Sequence, residues 1–88
     1  MTSRNLTPEQ IGAFIRALKS GMVWTNGLVG SITYTYRDGQ FIKTVQDRRE
    51  PDAPIETTYT ENSFWTHLEK RSFPDFVYRS LAEKLIQY

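Results

Sequence analysis

Cysteine is absent from this sequence. That excludes a disulfide framework, a thiolate metal site and a cysteine nucleophile, and it fits a reducing compartment. Histidine occurs once, as His67, so no two imidazoles can share a metal ion. Charge of one sign is also lacking. Eleven basic residues are interspersed with ten acidic ones, for a formal net charge of +1. Strong non-specific binding to nucleic acid or to an anionic membrane needs a concentrated positive face, so the balance disfavours both. No apolar run approaches a membrane span, and the opening MTSRNLTPEQ has no apolar signal-peptide core. The chain reads as soluble and cytoplasmic. No glycine-rich phosphate loop is present, because Gly27 and Gly30 belong to a turn and a strand that no helix follows.

What is abundant is aromatic. Five tyrosines, five phenylalanines and two tryptophans stand in 88 residues. A chain of this length makes one domain, and rings help it build a core because each buries a large area for few torsions. Residues 1–6 read as a flexible lead-in. In TPEQIGAFIRALKSG, Thr7 is a good N-cap, Pro8 suits the first helical position and Gln10 completes a capping box. Ile11, Phe14, Ile15 and Leu18 then follow helical spacing, and Gly21 marks the stop.

Asn26-Gly27 and Asp38-Gly39 both suit two-residue hairpin turns. The second predicts strands over about Val29–Arg37 and Gln40–Asp47, with a short strand possible at Met22–Thr25. RREPDAPIE reads as an exposed connection, and Ile55–Tyr59 as a third main strand. Thr60 can cap a helix that puts Phe64, Trp65 and Leu68 on one side. Ser72, Pro74 and Asp75 signal a last helix over about Pro74–Gln87, stacking Val77, Leu81, Leu85 and Tyr88. The expected fold is α+β: a small antiparallel meander of three or four strands with helices on one face, in the order α-β-β-β-α-α. The α-β-β-β-α order resembles that of double-stranded-RNA-binding domains. Those domains place lysines at the start of the helix after the sheet, where this sequence has TENSF.

The Asp38-Gly39 turn sets a register in which Arg37 opposes Gln40. Opposed residues share a face, so Ile32, Tyr34, Tyr36, Phe41, Lys43 and Val45 fall on one side. The other side takes Thr33, Thr35, Arg37, Gln40, Ile42, Thr44 and Gln46. The aromatic side is the one for helices to cover. Lys43 breaks its pattern and is expected near the sheet edge, with its stem beside Tyr34. If Asn26-Gly27 is a two-residue turn, Trp24 opposes Val29 on the outer side. It would form an apolar-plus-arginine patch there with Arg48 and Ile42. If Gly30 is a bulge, the parity flips and Trp24 returns to the core.

No catalytic constellation emerges. His67 lies on a helix flank without a nucleophile nearby, and Ser63 and Ser72 are better explained by capping. Asp47, Glu50 and Asp52 cluster near the prolines, but their spacing matches no defined metal loop and Arg48-Arg49 lies among them. The expectation is a non-enzymatic protein–protein interaction module with no cofactor and no metal. It could be an inhibitor, an immunity or accessory protein, or a homodimer subunit. Phe76 and Ile86 fall off the main stripe of the last helix and supply surplus apolar surface. The alternative is a weak nucleic-acid binder using Arg37, Arg48 and Arg49. The residues to examine on the sheet are Trp24, Val29, Arg37 and Arg48.

Overall fold

A computed structural model of the protein describes residues 3–26, 31–47 and 49–88, without the side chains of Asp47, Glu50 and Pro51. The chain runs β1 (Ser3–Asn5), α1 (Pro8–Lys19), β2 (Trp24–Thr25), β3 (Ile32–Arg37), β4 (Gln40–Asp47), β5 (Glu50–Tyr59), α2 (Glu61–Lys70), β6 (Ser72–Pro74) and α3 (Asp75–Leu85). The fold is α+β. Strands β2 to β5 form an antiparallel sheet in chain order, and β1 pairs with β6 in a separate ribbon. Among the described residues no helix is long and apolar enough to cross a membrane.

Local chemistry sets the helix limits. The Thr7 hydroxyl accepts from the Gln10 amide at 3.2 Å, and Gln10 Oε1 accepts from the Thr7 amide at 2.9 Å. This capping box satisfies two donors that a helix start leaves open. Gly21 ends α1 with φ of +108°, where any other L residue is strained. Ile11, Phe14, Ile15 and Leu18 are all buried, as their spacing requires. In α2, Thr60 caps the Ser63 amide at 3.2 Å, and Phe64 and Leu68 are buried while Trp65 is half-buried. In α3, Val77, Leu81 and Leu85 face inward. Tyr88 lies beyond the helix and is largely exposed, so the stripe stops at Leu85.

The β3–β4 hairpin has the expected register, with Arg37 opposite Gln40 and Tyr34 opposite Lys43. Asp38 and Gly39 take φ of +54° and +79°, the left-handed pair that a two-residue hairpin turn demands. Tyr34 and Phe41 are fully buried and Tyr36 packs on the core's margin. The rings form one connected cluster. Phe64 lies flat on Phe41 at 4.7 Å and meets Phe14, Tyr34 and Tyr59 at an angle.

Trp24 does not stand on the outer face. It opposes Tyr34, not Val29, and is 3% exposed. Asn26 is part of the ladder rather than of a tight turn: its amide donates to Ile32 O, and its Oδ1 accepts from the Ile32 amide. The connection therefore starts later and is longer than two residues, which changes the parity of β2. The gain behind this register is aromatic packing. Trp24 stacks on Tyr34 at 5.5 Å and meets the edges of Phe14 and Phe73 at 5.9 Å. Gly27, Val29, Gly30 and Arg48 lie outside the described residues, and so does the proposed bulge.

Two other segments differ from expectation. The RREPDAPIE region is largely strand: β5 starts at Glu50. Its ladder is regular from Tyr59 to Ile55, then shifts. Between Val45–Ile55 and Asp47–Glu50, β5 spends more residues than β4. Pro51 and Pro54 fall in that irregular stretch of an edge strand, where a missing N–H costs least. Within the lead-in, Ser3–Asn5 forms a strand. Ser3–Asn5 pairs with Ser72–Pro74, Leu6 is buried, and Arg4 Nε lies 3.0 Å from Asp75. Three-residue strands carry too little periodicity to show in a sequence.

The Phe64 ring is fully buried at the centre of this cluster. Phe64→Ala is therefore expected to cost about 3–5 kcal/mol, read as a fall in the urea midpoint at unchanged slope. A loss below about 1 kcal/mol would show that the rings are not the core's main support.

Candidate functional site

The inner face of the sheet is not fully covered. Its cross-strand rows follow from the pairing: Tyr36–Phe41–Tyr59, then Trp24–Tyr34–Lys43–Thr57, then Ile32–Val45–Ile55. Helix α2 crosses these rows obliquely. Phe64 covers Phe41, His67 stacks on Tyr59 at 5.0 Å, and Arg71, at the helix end, sits 5.4 Å above the Tyr34 ring. The helices leave the β4–β5 corner of the last rows open. Lys43 and Val45 are half-buried, Thr57 is exposed and Ile55 is 67% exposed.

A polar node marks the boundary between the core and this open corner. Tyr34 has a buried ring and a hydroxyl with two partners. Arg71 Nη1 donates to it at 2.6 Å, and His67 Nε2 lies 2.9 Å away. Arginine can only donate, so the Tyr34 O–H is left to donate to His67 Nε2. That arrangement requires His67 neutral, with its proton on Nδ1. Burial pushes the Tyr34 phenol up to about 12, partly offset by the Arg71 cation and its hydrogen bond. Burial also lowers His67, to about 4, with the Lys43 and Arg71 charges adding to the effect. Lys43 is not at the sheet edge as expected, because β5 lies outside β4. It reaches water through the open corner instead.

The ion pairs among the described residues lie elsewhere. Arg4 and Arg79 both reach Asp75, and Lys19 pairs with Glu61. Among the described residues no ion pair includes Lys43 or Arg71, and Arg71 Nε is buried with no hydrogen-bond partner.

Two shallow grooves flank α3. One, of about 120 Å³, runs along β2 and is lined by Trp24, Thr25, Asn26, Phe76, Ser80 and Lys84. The other, of about 250 Å³, lies against α1 and is bordered by Gln10, Ala13, Arg16, Ile86 and Tyr88. Gln10 Nε2 donates to the Tyr78 hydroxyl at 2.9 Å and Arg16 Nε to Tyr88 O at 3.0 Å, which fixes α3 on α1.

The residues singled out in the sequence scatter across this framework. Phe76 and Ile86 are 60% and 84% exposed, one beside each groove. Trp24 contributes only to the floor of the first groove. Ile42 is buried on the outer face between its cross-strand partners Thr35 and Thr58, so it offers no surface. Arg37 is exposed at the end of β3, and Arg49 is exposed but already engaged. Val29 and Arg48 lie outside the described residues. The outer-face patch of Trp24, Val29, Arg48 and Ile42 is thus broken at Trp24 and Ile42. His67, read from the sequence as a solvated flank residue, belongs to the node instead. Arg71 drew no attention in the sequence. The available hints were Lys43 on an apolar face and the i, i+4 spacing of His67 and Arg71.

Compared with known protein families, curated proteins and solved structures, the chain matches none.

The folded state resists protonating His67, while the unfolded chain takes up a proton near its ordinary value of 6.5. This group's contribution to stability is full above about pH 6.5 and is lost as pH falls toward 4. Proton NMR should place the His67 titration near 4. His67→Gln should flatten stability across that window relative to the native chain. A titration near 6.5, with both proteins losing stability in parallel, would mean that the node does not form.

Proposed function

We propose that this chain is a non-enzymatic protein–protein interaction module. The observation that carries the reading is the pair of exposed apolar side chains Phe76, in α3, and Ile86, just after it, each beside a groove. Single exposed apolar residues are ordinary on convex surface. Here each borders a concavity with a partly apolar lining, the arrangement in which a partner's side chain finds both a wall and a floor. The chemistry of the node supports the same reading. The one imidazole is committed to a tyrosine hydroxyl and flanked by cations, which is poor preparation for a general base. The partner is either another protein or a second copy of this chain.

Two substitutions at exposed positions, one in α3 and one at its C-terminal end, test this without touching the core. Phe76→Asp and Ile86→Asp should leave the unfolding midpoint within about 0.5 kcal/mol of native. At least one of them should abolish a self-associated species in sedimentation, or the capture of a specific protein that Glu83→Gln still captures. A strict monomer whose captured proteins are unchanged by both substitutions would sink the reading.

A further inference from the structure

We infer that the open corner of the sheet is a second binding surface, which takes a carboxylate-bearing extended segment of a partner protein. Its carboxylate would lie between Lys43 and Arg71, and its apolar residues on Val45 and Ile55. The inference is independent of the α3 grooves. It rests on which groups converge at the corner and on what they lack.

His67 and Arg71 meet at the Tyr34 hydroxyl, and Lys43 stands opposite Tyr34 in the adjacent strand. Lys43 comes from β4, His67 from within α2, and Arg71 from the end of α2. Tyr59 of β5 closes the far side by stacking on His67. Among the described residues no acid pairs with Lys43 or Arg71. Glu56, the nearest acid along the regular part of β5, pairs with Thr44 and so points to the opposite face. The ion pairs of the described residues lie elsewhere, and Arg71 Nε is buried without a partner. Lys43 and Arg71 bring two positive charges to a largely apolar face, and like charges repel. An anion near both cations offsets that repulsion. Burial is the main cause of the low His67 titration, and the Lys43 and Arg71 charges add to it.

The surroundings choose the kind of anion. Val45 and Ile55 are same-face neighbours of Lys43 and Thr57 in the paired strands, so the surface beside the cations is aliphatic. Two cations on a chain of net charge +1 are too few for a nucleic-acid backbone, whose binding draws on many phosphate contacts. A carboxylate next to an aliphatic side chain matches both halves of the corner. The regular, outward edge of β5 from Ile55 to Tyr59 gives an extended segment a direction to follow.

The test uses the full chain and three probes: the peptide Glu-Val-Glu-Val-Glu with blocked ends, its Gln-Val-Gln-Val-Gln counterpart, and a single-stranded DNA oligonucleotide. The acidic peptide should shift the NMR signals of Val45, Ile55 and His67, and raise the His67 titration by about one unit, because a nearby anion favours imidazolium. Lys43→Gln, at a half-buried position with no ion pair among the described residues, should fold normally and weaken the peptide about tenfold or more. No shift at millimolar acidic peptide would overturn the inference. So would equal shifts from the glutamine peptide, indifference to Lys43→Gln, or stronger binding by the oligonucleotide. None of these outcomes depends on Phe76 or Ile86, so the α3 reading stands or falls separately.

Discussion

Burying a tyrosine ring is favourable only if its hydroxyl is not stranded, and the whole inner face is arranged around that condition at Tyr34. The ring contributes area: it stacks on Trp24 and meets Phe14 and Phe64 edge-on. The hydroxyl then needs partners at the depth where the ring ends. They come from α2, whose residues His67 and Arg71 are one helical turn apart and so fall on the same side. The angle of α2 across the sheet follows from this. Phe64 must reach Phe41 while His67 and Arg71 reach Tyr34. In this position α2 leaves the β4–β5 corner open.

Much of this was legible in the sequence, and the legible parts share a property. They are decided by neighbours in the chain. The Thr7 box and the Asp38-Gly39 turn rest on a few consecutive residues, and the turn propagates its register along the hairpin to place Tyr34 and Phe41 inside. What was not legible depends on distances the sequence does not reveal. The face of Trp24 turned on the length of one connection, where Asn26 joins the ladder instead of turning the chain. Strand β5 passes through its prolines because an edge strand tolerates a slipped ladder. The β1–β6 ribbon joins two short segments from opposite parts of the chain.

The candidate surfaces divide in the same way. Exposure of Phe76 follows from helical periodicity, since Val77, Leu81 and Leu85 already define the buried stripe, and Ile86 follows the last residue of that helix. The node does not follow from periodicity. It needs the azimuth of α2 over the sheet, which the sequence does not encode locally. Lys43 was the visible clue: a cation on an apolar face asks where its charge goes. The sheet edge was the simplest answer, but β5 occupies that edge.

The ribbon between Ser3–Asn5 and Ser72–Pro74 bears on how the molecule comes to be folded. Its two halves are separated by nearly the whole domain, and they close over Leu6 and Phe73, both buried. The hairpin at Asp38-Gly39 can form as soon as its own residues exist. The ribbon cannot, because loop closure on that scale must wait for the distant partner. During synthesis Ser3–Asn5 would lack this pairing until Ser72–Pro74 had been made. Over that interval Leu6 and the apolar stripe of α1 would lack their final cover.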